Sequence, residues 1–287
     1  MPDALPKPIV STEWLAAHLG EPRLVVLDAS WYLAAMQRDA QAEYAAGHIP
    51  GAVFWEIDRL SDGQSSLPHM LPDPASLARD IGALGIADDD RVVVYDGSGI
   101  NLSAPRVWWT LRIAGHDEVA VLDGGLARWK AEGRALEAGT VSRPAARFTV
   151  RLRPALRKSQ EEMTAALVTG AWQVLDARSS GRFAGTEPEP RPGLRGGHLP
   201  GSRSLPFTEL VGPLGTLLPA AELRARYERA GIDLARPIVA TCGSGVTACA
   251  LVLGLHRLGI HDTAVYDGSW SEWGREAGPP IEQGPPA

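Results

Sequence analysis

The sequence predicts an α/β protein of two tandem domains, each a parallel sheet flanked by helices. Three observations carry this reading. The chain has 287 residues, past the size at which a single core tends to split in two. Four segments recur in the same order in its two halves, the mark of a duplicated unit. Between them, short apolar runs alternate with stretches of helical spacing, the rhythm of parallel strands joined by crossover helices.

The repeat reads in pairs. LVVLDAS at Leu24 to Ser30 returns as QVLDARS at Gln173 to Ser179, and GHIPGA at Gly47 to Ala52 returns as GHLPGS at Gly197 to Ser202. VVVYDGSG at Val92 to Gly99 returns as IVATCGSG at Ile238 to Gly245, and LDGGLARW at Leu122 to Trp129 returns as YDGSWSEW at Tyr266 to Trp273. The expected strands are Leu24 to Leu27, Val92 to Tyr95 and Val119 to Leu122, then Val174 to Leu175, Ile238 to Thr241 and Thr263 to Tyr266. Ala248, Leu251, Val252 and Leu255 stand at i, i+3, i+4 and i+7, which predicts a helix directly after Cys242 to Thr247. The stretch GTVSRPAARFTVRLRPALR has two prolines, five arginines and no period, so it reads as a linker. The domains are thus expected at 1–139 and 158–287, with a linker at 140–157.

Composition narrows the function. An apolar fraction of 45% and a charged fraction of 22% are those of a soluble globular protein. A net charge of -6 gives no electrostatic reason to expect nucleic acid as a partner. No run of eighteen apolar residues and no basic block points to a membrane. The N-terminus lacks the regions of a signal peptide. Two cysteines, Cys242 and Cys249, are too few for a disulfide framework or a cysteine zinc site. The expected setting is cytoplasmic, where a free thiol survives.

Cys242 stands where a buried strand ends and a helix begins, the place where open α/β sheets bind ligands. Gly243 and Gly245 can take positive φ, so the loop can curl and aim its backbone N–H groups at the sulfur. The helix N-terminus adds partial positive charge. Both favour the thiolate, the reactive form. Unpaired cysteines are most often small buried apolar residues, and the junction with its two glycines is what favours a nucleophile here. Cys249 has no such setting and reads as core. A tyrosine phosphatase loop would need arginine six residues after the cysteine, to give phosphate a bidentate partner. That position is Ala248.

These residues resemble the tandem-domain rhodanese superfamily, and within it the 3-mercaptopyruvate sulfurtransferases. GHIPGA and GHLPGS are similar to the superfamily's N-terminal signature and YDGSWSEW to its C-terminal one. SAPRVWW and GRFAGTEPEPRPG are closer to the tandem enzymes. The resemblance implies two rhodanese-like domains and a persulfide on Cys242 in the second. It makes Gly243, Gly245, Val246 and Thr247 the substrate loop. The neutral loop CGSGVT resembles the mercaptopyruvate type, since thiosulfate-type members carry basic residues there. Arg182 and Arg191 match the pair that binds the donor's carboxylate and keto oxygen. Ser244, His69 and Asp58 match a proposed proton relay beside the cysteine.

Asp96 takes the place of Cys242 in the first copy, so that domain is expected to be catalytically silent and to wall a site between the domains. His48 and His198 occur in both copies and read as turn residues. The implied reaction moves sulfur from 3-mercaptopyruvate to cyanide, a small thiol or a thioredoxin-like protein, releases pyruvate, and calls for no cofactor or metal. A thiosulfate sulfurtransferase and a non-catalytic sulfur-carrier or regulatory module are the rival readings.

Overall fold

The computed structural model describes residues 5–285. They form two compact units, each completed by a short piece from the other half of the chain. The first unit comprises the chain up to Gly63, Leu71–Arg153 and Val211–Leu217; the second comprises Gln64–Met70, Pro154–Leu210 and the chain from Leu218 onward.

In the first unit the strands are β1 (Ile9–Val10), β2 (Leu24–Asp28), β3 (Val53–Phe54), β4 (Arg91–Tyr95) and β5 (Val119–Leu122). Its helices are α1 (Thr12–His18), α2 (Ala40–Ala46), α3 (Pro74–Ala83), α4 (Ala104–Ile113) and α5 (Gly125–Ala131). The second unit repeats this with β6 (Arg157–Lys158), β7 (Gln173–Asp176), β8 (Arg203–Ser204), β9 (Ile238–Thr241) and β10 (Thr263–Tyr266). Its helices are α6 (Gln160–Thr169), α7 (Ser180–Ala184), α8 (Ala220–Arg229), α9 (Ala248–Arg257) and α10 (Ser269–Trp273). The sheet orders are β1-β5-β4-β2-β3 and β6-β10-β9-β7-β8, the same topology twice. All pairings within them are parallel.

Helices on both faces explain why the central strands read as unbroken apolar runs. β4 and β9 are buried along their whole length. α4 and α9 leave the carboxyl ends of these two strands and are buried at every residue but Arg112 and Arg257 respectively. A helix apolar nearly all round belongs inside a core. The four two-residue edge strands β1, β3, β6 and β8 are too short to carry a period.

The signature histidines hold equivalent turns. His48 Nδ1 lies 2.8 Å from Tyr44 O and His198 Nδ1 lies 2.9 Å from Phe183 O. Each ring stacks on the aromatic residue whose carbonyl it meets.

Within the span read as linker, the boundary between units falls at Arg153 and Pro154. The stretch before it is strapped to the first unit. Ala146 N donates to Gly82 O at 2.9 Å, and Arg151 N and Arg153 N donate to Ala114 O and Ile113 O at 2.8 and 2.9 Å. Phe148 is buried. An extended strap bonded to helix-end carbonyls has no repeat of its own, hence its irregular sequence. Its close approach explains Gly82: a Cβ there would lie 2.5 Å from Ala146 O. Gly82→Ala should gain about 1 kcal/mol of helix propensity yet lower stability by about 1–3 kcal/mol net, because the strap must move. Urea denaturation checks the sign.

Candidate active site

β9 ends at Thr241, and Cys242 to Thr247 turn the chain into α9. α10 holds this loop from one side. Trp270 N donates to Cys242 O at 2.9 Å, and Ser271 N and Oγ donate to Gly243 O at 2.9 and 2.7 Å. Cys242 N donates to Ser269 Oγ at 3.2 Å, and that hydroxyl donates on to Tyr266 O at 2.7 Å. Ser269 adopts φ 49° to do this. On the other side the Cys249 thiol, in the first turn of α9, donates to Gly245 O at 3.3 Å. Cys249 therefore braces the loop from the core. Both cysteines are free and buried, with Cys242 only 2% exposed. Ser244, Gly245 and Val246 are buried, and Thr247 is half-buried at the start of α9.

The two loop glycines have different reasons. Gly245 has φ 74°, as expected. Gly243 does not have positive φ, which corrects that expectation; its reason is crowding. A Cβ on Gly243 would lie 3.0 Å from Arg182 Nη2 and 3.9 Å from Arg191 Nη1. Both sequence-predicted arginines thus converge on the cysteine loop.

Arg182 sits on the short α7 and is held by a carboxylate that the sequence reading did not single out. Its Nη2 and Nε donate to Glu189 Oε2 and Oε1 at 2.6 and 3.3 Å. Glu189 in turn receives Arg178 Nη1 at 2.7 Å. Arg178 is buried, forks onto Asp176, and donates to Gly197 O at 2.7 Å. Burial works against its charge, but Asp176 and then Glu189 outweigh that and hold its pKa above the ordinary arginine value. Glu189 stands between prolines in TEPEPRP, where an acidic residue among arginines was the available signal. Ser269 and Ser271 were also missed, although they lie in the repeated signature.

His69 belongs to the Gln64–Met70 piece of the same unit. Its Nδ1 lies 2.9 Å from Ser244 Oγ, so this pair of the expected relay is brought together. It is buried and has φ 60°, a conformation that costs energy for a non-glycine residue. Asp58 belongs to the first unit, where Trp31 Nε1 donates to its Oδ2 at 3.2 Å.

The matching loop of the first unit contains its own anion. Asp96 Oδ1 accepts from Ser98 N, and its Oδ2 accepts from Ser103 N and Ala104 N, all at 2.9 Å. A carboxylate thus fills the cradle of amides at the end of β4 and the start of α4. Among the described residues no group of three or more His, Cys, Asp or Glu is placed to hold a metal ion, and no helix is long and apolar enough to cross a membrane.

Comparison with known proteins agrees with this geometry. The profile of the rhodanese-like domain matches residues 11–132 and again 159–276. The 3-mercaptopyruvate sulfurtransferase of Homo sapiens is 45% identical over 276 residues, covering 94% of this chain and 93% of the human protein. The mitochondrial thiosulfate/3-mercaptopyruvate sulfurtransferase 1 of Arabidopsis thaliana is 46% identical, covering 96% of this chain and 78% of that protein. The crystal structure of the Escherichia coli 3-mercaptopyruvate sulfotransferase SseA superposes with a TM-score of 0.84 at 39% identity, covering 92% of this chain and 99% of that one.

Removing the internal anion should cost stability but not chemistry. Asp96→Ala leaves buried N–H groups without an acceptor and should destabilise the first unit by about 1–3 kcal/mol. Denaturation monitored alongside sulfur transfer per folded molecule checks both halves of the statement.

Proposed function

The chain belongs to the family of rhodanese-like domain proteins, of which it carries two copies, and on that premise we propose that it is a 3-mercaptopyruvate sulfurtransferase working through a persulfide on Cys242. The observation that carries this is the convergence of Arg182 and Arg191 on Gly243, beside a cysteine in a loop without charge. A planar guanidinium fork suits a carboxylate. The loop amides and the start of α9 suit a thiolate.

In this reading Cys242 thiolate attacks the sulfur of 3-mercaptopyruvate while the two arginines hold the donor's carboxylate and keto oxygen. A sulfur–sulfur bond forms and the carbon–sulfur bond breaks. Its electron pair leaves with the carbon as pyruvate enolate, which takes up a proton to give pyruvate. Ser244, hydrogen-bonded with His69, is the nearby group able to pass that proton. Asp58 joins this relay on the family resemblance alone. The persulfide's outer sulfur then goes to cyanide, a small thiol or a thioredoxin-like protein, and the thiolate is regenerated. Val246 and Thr247 line the donor's approach along the loop. Free thiols suit a reducing compartment, and we place the enzyme in the cytoplasm on that ground.

Thiosulfate as preferred donor is the competing reading, favoured by the double name of the Arabidopsis relative. A doubly charged donor calls for positive charge in the loop, and this loop has none. Steady-state comparison of the donors should give the higher kcat/KM with mercaptopyruvate; the reverse order would select the rival.

Intact-mass analysis after incubation with mercaptopyruvate should show one added sulfur, absent in Cys242→Ser. An unmodified wild-type protein would refute the persulfide. Arg182→Ala should raise the KM for mercaptopyruvate by about ten- to hundredfold, the worth of a charged hydrogen bond, with the fold intact by circular dichroism.

A further inference from the structure

Glu189 is placed to do two things at once. Its side chain is 2% exposed and lies between two guanidinium groups, Arg178 behind it and Arg182 in front. It engages Arg182 at Nε and Nη2, which fixes the plane of that guanidinium next to Gly243. Arg178 is in turn locked by Asp176 and lies 4.2 Å over the ring of Trp270, whose amide holds Cys242 O. Five ionic groups thus run from the end of β7 to the loop: Asp176, Arg178, Glu189, Arg182 and Arg191. Within the linked pairs the charges offset one another, Asp176 and Glu189 against Arg178 and Arg182.

The fold does not require this chain of charges. In the first unit Asp28 ends β2 as Asp176 ends β7, and Ser30 N and Arg178 N donate to these aspartates alike at 2.9 Å. Ser30 stands where the second unit has Arg178, so the arginine link is missing, yet the same sheet order forms. Buried ion pairs in general add little net stability, because desolvation offsets their attraction. The first unit has a more exposed counterpart, Arg38 paired with Glu43 and donating to Gly97 O at 3.0 Å. What is confined to the copy with the cysteine is therefore the buried link through Arg178, and it is this link that points to the chemistry rather than to the fold.

We propose that Glu189 is a positioning and specificity-determining residue, which aims Arg182 at the donor and cancels one of the two arginine charges beside the Cys242 loop, so that a monocarboxylate donor is favoured over a dianion. The proposal rests on the reading that Arg182 and Arg191 hold the donor.

Steady-state kinetics of the full-length protein with 3-mercaptopyruvate and with thiosulfate test it. Glu189→Gln keeps the shape and removes the charge. It should raise KM for mercaptopyruvate about tenfold with kcat within about twofold, the pattern of lost binding rather than lost chemistry. The thiosulfate-to-mercaptopyruvate ratio of kcat/KM should also rise about tenfold. Glu189→Asp keeps the charge but withdraws it, so KM should rise while the donor ratio stays at the wild-type value. An equal loss with both donors in Glu189→Gln, or no change with either, overturns the proposal. Should Glu189→Gln fail to fold, Glu189→Asp decides, because an unchanged KM or a shifted donor ratio there overturns it. Arg182→Ala separates the two levels: an unchanged KM sinks the reading beneath, whereas a raised KM with an unaffected Glu189→Gln sinks this proposal alone.

Discussion

The loop at the buried end of β9 has to be held curled around Cys242 without a charged side chain of its own, and much of the second unit is arranged around that constraint. Charge taken out of water is expensive unless dipoles or partners replace the hydration. The loop has polar backbone groups in place of charged side chains, and α10 keeps it curled through Ser269, Trp270 and Ser271. The first unit bears out the electrostatic logic independently. There the same junction of strand and helix closes on the carboxylate of Asp96, taken up by three amides. The equivalent position in the second copy is Cys242, the side chain proposed as the nucleophile.

Much of this was legible in the sequence because duplication supplies its own control. The long strands, α9 and the repeat register follow from apolar runs and matched motifs, and β5, β9 and β10 span the residues expected. Cys242, Arg182 and Arg191 stood out by motif, and the structure brings all three to Gly243's neighbourhood. The edge strands escaped because two residues hold no period. The role of Gly243 escaped because crowding by an arginine from another segment leaves no trace in local sequence. Glu189 and Arg178 escaped for a related reason: a charged residue is normally read as solvent-facing, and only the fold shows that these side chains are buried against each other.

Comparing the copies position by position also separates what folds the unit from what equips it. His48 and His198, and the tryptophans Trp129 and Trp273 with indole N–H groups on Ala135 O and Pro280 O, do the same work in both. Two differences cluster at the loop. Gly125 and Ser269 share a left-handed backbone, with φ 50° and 49°. A Cβ on Gly125 would lie 2.5 Å from Asp96 O, whereas at Ser269 the backbone strain of a side chain is accepted and its hydroxyl reaches Cys242 N. Ser30 and Arg178 are the second difference. Strain and buried charge are costs that a fold avoids where it can. At these two positions the second unit carries both, whereas the first has a glycine at one and an uncharged serine at the other.

The division of labour that results has a physical advantage. In the proposed reaction, activation of the sulfur rests on backbone dipoles, whose placement depends on the topology and on the Ser269 and Ser271 hydroxyls. Recognition of the donor in that reaction rests on guanidinium groups from α7 and the segment after it, which approach the loop without belonging to it. The two tasks are linked through the packing of Arg178 on Trp270 and the closeness of Arg182 and Arg191 to Gly243. The loop itself contributes no side-chain charge, so under the proposal the electrostatic preference among donors depends on how Glu189 offsets Arg182. A loop that carried its own lysine or arginine would bind a dianion more strongly, but it would change the sulfur's acidity in the same stroke.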